Sequence, residues 1–137
     1  MRATRKIVVT EADEQRLRNM LSQYGKGRDA QVAERLETEL MDAEVVSADV
    51  LPPDVVSMDS VVVYEDDRGR RSQVKLVFPD VVADEPRVSV LAPVGSALLG
   101  VAVGETIEWP LPNGRTKKLR VLEIRYQPEA AGKEPVT

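Results

Sequence analysis

Two periods of hydrophobic and polar residues divide the chain. Near its start, Leu17, Met20, Leu21 and Tyr24 fall at i, i+3, i+4 and i+7, which is one face of a helix. Thr10 suits the N-cap of that helix, and Glu11, Asp13 and Glu14 suit the positive end of its dipole. The preceding Ile7-Val8-Val9 reads either as a short strand or as a hydrophobic lead-in. Gly25-Lys26-Gly27 stops the helix. Asp29 can cap a second one, with Val32, Ala33, Leu36, Leu40 and Ala43 on its apolar side. Two helices of comparable length about a tight glycine turn predict an antiparallel αα-hairpin whose inner faces match. On the second helix Glu34, Glu37, Glu39, Asp42 and Glu44 read as a solvated acidic face.

Helical periodicity ends at Leu51-Pro52-Pro53-Asp54. Two successive prolines force extended geometry, so residues 47–60 read as a linker with a boundary near Ala48–Asp54. From Ser60 the pattern has period two. Val61 to Tyr64 predicts a strand, and Glu65-Asp66-Asp67-Arg68-Gly69 a polar turn. Gln73 to Phe78 is the return strand, with Val74, Leu76 and Phe78 on one face and Lys75 on the other. Carboxylates beside a glycine turn are turn formers far more often than cation ligands, so Asp66-Asp67 carries no metal site. Pro79 and Pro86 frame an irregular acidic loop.

The stretch from Ser89 to Trp109 organises the remainder. A β-like run through Val88, Val90 and Leu91 stops at Pro93, which cannot donate to a ladder. A short apolar turn from Ser96 to Leu99 closes on Gly100, and a second β-like run covers Thr106 to Trp109. Gly95, Gly100 and Gly104 stand where positive φ or close backbone approach is expected. Asn113-Gly114 is a hairpin signal. In the last strand, Lys117 to Tyr126, the alternation slips: Leu119 and Val121 share one phase, Leu122, Ile124 and Tyr126 the other. Either a β-bulge near Val121–Leu122 or a strand buried on both faces is required. Arg115, Lys117, Lys118, Arg120 and Arg125 read as the solvent face of an exposed strand. Residues after Pro128 read as a disordered tail.

Composition narrows the chemistry. A chain of 137 residues fits one domain, or one domain with a small appendage. No apolar run approaches the length of a membrane span. The absence of cysteine fits a reducing cytoplasm. The absence of both cysteine and histidine removes thiol nucleophiles, the usual zinc ligands and the commonest general base. No nucleophile–base pair, phosphate loop or metal cluster assembles, so the chain reads as a non-enzyme without cofactor or metal. Residues 1–50 carry 8 basic and 10 acidic side chains, and residues 51–137 carry 11 and 13. Neither half has the basic bias of a nucleic-acid-binding domain, so direct DNA binding is not expected. The residues alone describe an α+β interaction module.

Several spaced elements carry a resemblance. Ala92-Pro93-Val94-Gly95-Ser96-Ala97-Leu98-Leu99-Gly100, then Val103-Gly104-Glu105, then Pro112-Asn113-Gly114 with Val121-Leu122-Glu123-Ile124, resemble the C-terminal domain of the bacterial Gre transcript-cleavage factors. The similarity runs from about Ser57 to Tyr126. Pro53-Asp54-Val55-Val56-Ser57-Met58, Ala92-Pro93-Val94-Gly95, the closing Tyr126-Gln127-Pro128-Glu129-Ala130-Ala131-Gly132 and the short N-terminal hairpin are similar to one branch, the regulators of nucleoside diphosphate kinase (Rnk). The resemblance implies residues 1–50 as a short, coiled-coil-like helical hairpin. It implies residues 51–137 as an FKBP-like domain, an antiparallel sheet around one short helix, ending in that tail. It further implies RNA polymerase as partner, docking near the secondary channel in competition with Gre factors. Ala92, Pro93, Val94, Ser96 and Leu98 are the candidate docking residues, with core packing the competing role for at least one of Leu98 and Leu99. Gre factors also insert a long coiled coil whose acidic tip helps hold a catalytic magnesium ion. Here a helix of about 15 residues spans only about 22 Å. The tip places the single carboxylate of Asp29 beside Lys26 and Arg28. Stimulation of transcript cleavage is therefore not expected. The alternatives are an FKBP-like peptidyl-prolyl isomerase, for which the chain has few aromatic residues, and a generic interaction module.

Overall fold

The computed structural model describes residues 6–24, 30–79, 86–110 and 114–132. Strand β1 (Val8–Thr10) runs directly into helix α1 (Glu11–Gln23), and helix α2 (Ala30–Met41) is followed by strand β2 (Glu44–Val46). Thr10 ends the strand and caps the helix: its Oγ1 accepts the Asp13 N–H at 3.1 Å. Of the two readings of Ile7–Val9, the strand is the one formed, because β2 supplies a parallel partner with Val9 opposite Val45. That partner was hidden, since the α2 apolar face was expected to run on to Ala43 and its acidic face to Glu44. Instead the helix stops at Met41 and Glu44 enters a strand.

Leu17 and Met20 from α1, and Ala33, Leu36 and Leu40 from α2, are buried, as the helical spacing requires. One member of the expected acidic face is not solvated. Glu39 is buried, with the Arg35 guanidinium at 3.7 Å, because it lies three residues after Leu36 on the packed side. The glycine turn between the helices, the cap at Asp29 and the tip residues Lys26 and Arg28 lie outside the described residues.

The segment expected as a linker is largely core. After a 3-10 turn (Ala48–Val50), Leu51, Val55, Val56, Ser57 and Met58 are all buried. Prolines make this stretch extended without making it solvent-exposed. The Val56 N–H donates to the Val101 carbonyl, and the Gly100 N–H to the Val56 carbonyl, both at 2.9 Å.

Strands β3 (Val61–Asp66), β4 (Arg71–Val77), β5 (Arg87–Ser89), β6 (Thr106–Pro110) and β7 (Thr116–Tyr126) form one sheet in the order β5-β4-β3-β7-β6. The expected all-antiparallel sheet is corrected here to a mixed one. β5 runs parallel to β4, with Leu76 opposite Val88. The chain leaves β4 at Phe78, crosses over and re-enters in the same direction, a connection longer than a hairpin turn. Pro110 lies on an edge strand, where a missing N–H costs no ladder bond.

The slip in β7 is resolved by register. Val63 faces Glu123 while Tyr64 faces Val121, so Leu122 is the extra residue of a bulge; a second shift passes over Arg125. The first bulge lets Leu119, Val121 and Ile124 all turn toward the core. In the β3–β4 turn, Asp66 Oδ1 accepts the Arg68 and Arg70 N–H groups, each at 2.9 Å, and Gly69 has φ 79°. The carboxylate is thus a turn former. A single hydrophobic cluster joins Ile7, Val9, Leu17 and Leu36 to Val56, Met58, Val62, Leu76, Leu98 and Leu119.

Of the tail expected after Pro128, residues 129–132 form a turn and residues 133–137 lie outside the described residues. Pro128 is buried, and the Ala131 N–H donates to the Gln127 carbonyl at 3.0 Å. Gln127 anchors the turn: its Nε2 donates to the carbonyls of Pro52 and Val55 at 2.8 and 2.7 Å, and its Oε1 accepts the Ala130 N–H.

Candidate functional site

The run from Val88 to Gly104 has no charged side chain. After β5, the Leu91 N–H donates to Ser89 Oγ and the Ala92 N–H to the Ser89 carbonyl, turning the chain out of the sheet. Ala92 is the N-cap of helix α3 (Pro93–Leu98), and Pro93 occupies its first turn, where a missing N–H leaves no partner wanting. The Ser96 N–H donates to the Ala92 carbonyl at 2.8 Å. Gly95 has to be glycine, because a Cβ there would overlap the Ser89 carbonyl oxygen. Gly100 ends the turn at φ 77°, and a Cβ there would overlap the Ile7 side chain. The loop is therefore wedged between β5 and the root of the hairpin.

The candidate set divides within this loop. Pro93 is exposed, Ala92 and Val94 are half-buried, Ser96 is 5% exposed and Leu98 is fully buried. Leu98 and Leu99 both belong to the core cluster. Only Ala92, Pro93 and Val94 present surface; Ser96 and Leu98 hold the loop from beneath. The arrangement is a stiff, uncharged projection, suited to contact with a protein surface. Among the described residues no group of three or more Asp, Glu, His or Cys side chains could hold a metal ion. Of the basic positions on β7, Lys118 lies 4.0 Å from Glu108 and Arg125 lies 3.7 Å from Glu123.

A second polar constellation was read only in part from the sequence. Asp13, expected to serve the helix dipole, is buried, and its Oδ2 accepts the Met58 N–H at 3.0 Å. Its signal was present: Asp13 lies four residues before Leu17, on the apolar stripe. Burial pushes the Asp13 carboxyl up from an ordinary 3.8 to about 7; the Met58 N–H opposes this, Glu129 adds to it, Arg16 opposes and Asp59 adds. Beside it, Ser57 Oγ donates to Glu129 Oε1 at 2.7 Å. No spacing pattern connects residues 13, 57 and 129, so only the fold brings them together.

Two family models match successive parts of the chain. The family described as "Transcription elongation factor, GreA/GreB, C-term" matches residues 51–126, and the one described as "Rnk N-terminus" matches residues 5–46. The chain is 40% identical over 128 residues to the regulator of nucleoside diphosphate kinase of Escherichia coli K12, covering 92% of this chain and 93% of that protein. The protein of the same name from Shigella flexneri matches equally. Among solved structures, a prokaryotic transcription elongation factor GreA/GreB from Nitrosomonas europaea superposes with a TM-score of 0.70 at 39% identity, covering 89% of this chain and 99% of that one. The chain belongs to the GreA/GreB family, in the branch that carries the Rnk N-terminus.

Proposed function

We propose that this protein is a transcription regulator that binds RNA polymerase near the secondary channel through the loop at Pro93, in competition with Gre factors, and that it does not stimulate transcript cleavage. The observation that carries this reading is the exposed Pro93 on a short helix wedged into the core, within a GreA/GreB C-terminal domain. The short hairpin supports the second half. Helices of 13 and 12 residues span about 20 and 18 Å. In the sequence of the tip, Asp29 is one carboxylate near Lys26 and Arg28, whereas holding a catalytic cation needs clustered oxygen ligands. No helix among the described residues is long and apolar enough to cross a membrane. A polymerase partner would place the protein in the cytoplasm. Regulation of nucleoside diphosphate kinase, which the relatives' name states, is extended to this chain as part of the same reading.

The test is a titration of core RNA polymerase with the wild type and with Pro93→Asp, each with and without a Gre competitor. The wild type should bind and be displaced by the competitor. Pro93→Asp should bind at least about tenfold more weakly, roughly 1.4 kcal/mol. Asp is acceptable in the first turn of a helix, so the variant should keep its fold. Unchanged binding would remove the loop from the interface. In a backtracked elongation complex, acceleration of RNA cleavage by the purified protein would refute the second half.

A further inference from the structure

One face of the sheet carries no helix among the described residues, and it is charged. Residues from α1, α2 and α3 all join the hydrophobic cluster on the face that holds Val62, Leu76, Leu119 and Val121. Strand residues alternate between faces, so their neighbours point the other way. Register sorts that opposite face into rows. Tyr126, Val61, Lys75 and Arg87 stand side by side across β7, β3, β4 and β5. The next row holds Glu123, Val63 and Gln73, and the one after it Thr106, Arg120, Glu65 and Arg71. Glu108 and Lys118 follow, and Arg125 reaches the face beside Glu123, 3.7 Å away. Val61 and Val63 are half-buried in the middle. Arg71, Arg87, Lys118, Arg120 and Arg125 are exposed. With Lys75 they outnumber Glu65, Glu108 and Glu123, so the face is positive on a chain whose net charge is −4. In the sequence only the β7 cations stood together; strand pairing adds Arg71, Lys75 and Arg87. The surface pairs Arg71–Glu65 and Lys118–Glu108, at 3.5 and 4.0 Å, hold their members weakly.

The complement lies on the same chain. Glu34, Glu37, Thr38 and Met41 fall at i, i+3, i+4 and i+7 of α2 and are all exposed. Met41, at 73%, is the most exposed large hydrophobic side chain among the described residues. The opposite side of α2, through Ala33, Leu36 and Leu40, is in the core. We propose that the positive sheet face is a self-association surface that takes the acidic stripe of α2 from a second copy of this chain. The spacings agree. With α2 laid along β3 and Glu34 and Glu37 over the row of Arg71 and Arg120, Met41 falls about 8 Å further on. Val63 and Val61 stand about 7 and 14 Å from that row. One placement thus sets carboxylates on guanidinium groups and Met41 on the valines. A nucleic acid would instead meet Glu65, Glu108 and Glu123, with Tyr126 as the single aromatic ring for stacking. The Pro93 loop takes no part in this contact, so it and the polymerase reading can fail separately.

Sedimentation velocity of the full chain over about a hundredfold concentration range reads the association. The wild type should gain mass with concentration in low salt and lose that gain in high salt. Arg71→Glu with Arg120→Glu gives the sheet face the sign of α2; Glu34→Lys with Glu37→Lys gives α2 the sign of the sheet. All four positions are exposed, so each variant should keep its fold. Each double variant should associate at least about tenfold more weakly than the wild type. An equimolar mixture of the two should recover association, because each offers the surface that the other now fits. A wild type that stays monomeric at every concentration in low salt would overturn the proposal. Variants that associate as the wild type does, or a mixture no more associated than its components, would overturn it as well. Salt-sensitive binding of a labelled oligonucleotide by a monomeric wild type, lost in Arg71→Glu with Arg120→Glu, would assign the face to nucleic acid instead.

Discussion

At the scale of single residues, Asp13 sets the least ordinary condition. Its carboxyl titrates near 7 in the folded chain and near 3.8 when unfolded. Between those values the native state holds a proton that the unfolded state has released. Stability from this group is therefore fully present below about pH 3.8 and is lost as pH rises toward 7, the reverse of an ion-paired acid. The limiting slope is about 1.4 kcal/mol per pH unit. Asp13→Asn keeps an acceptor for the Met58 N–H and removes the titration. Urea unfolding should show the variant gaining on the wild type steadily from pH 4 to pH 7, with a constant lead above that range. A stability difference that does not vary with pH would contradict this. Asp66 behaves in the ordinary direction. The Arg70 N–H and its neighbours hold that exposed carboxyl below its usual range, so its contribution is present at neutral pH and fades only in acid.

Among the elements, β5 and α3 approach closely at Gly95. The Ser89 carbonyl accepts the Ala92 N–H and also occupies the space that a Cβ at Gly95 would need. Gly95→Ala must therefore push α3 off β5, and should cost about 1–3 kcal/mol, read as a lowered urea midpoint. The same displacement moves Pro93, so under the proposed docking, binding to polymerase should weaken in step with stability. Wild-type stability in Gly95→Ala would show that the two elements are less closely seated than the structure has them. Helix α3 has only 6 residues, too few to be stable alone. It is formed because Ala97 and Leu98 are buried on one side while Pro93 fixes its start.

For the whole molecule, the decisive fact is that the helical hairpin and the sheet share one hydrophobic core. The turn after β7 closes over residues 52–55 through Gln127, whose amide satisfies two carbonyls and one N–H. Gln127→Ala takes the side-chain donor from the buried Val55 carbonyl and releases the turn from Pro52 and Ala130, and should cost on the order of 1–3 kcal/mol in urea unfolding. A loss under about 0.5 kcal/mol, the range of ordinary surface substitutions, would mean that the turn is not a structural strap.

The helices, the first β-hairpin and the bulge in β7 were legible in the order of residues, because each rests on short-range periodicity. Leu17 and Met20 recur at helical spacing, Val74 and Leu76 alternate, and Leu119, Val121 and Ile124 cannot share a face without an extra residue. The Pro93 loop was legible too, through its proline and glycines and through its likeness to Gre factors. The parallel pairings β1–β2 and β4–β5 were not, since each joins strands separated by a crossover and leaves no local signature. Nor was the burial of residues 51–58, where extended backbone says nothing about which surface covers it. The junction of Asp13, Ser57 and Glu129 was least accessible of all. The sequence showed a carboxylate on an apolar stripe, but which N–H and which second carboxylate it would meet depended on long-range contacts made only when the hairpin, the segment before β3 and the final turn pack together.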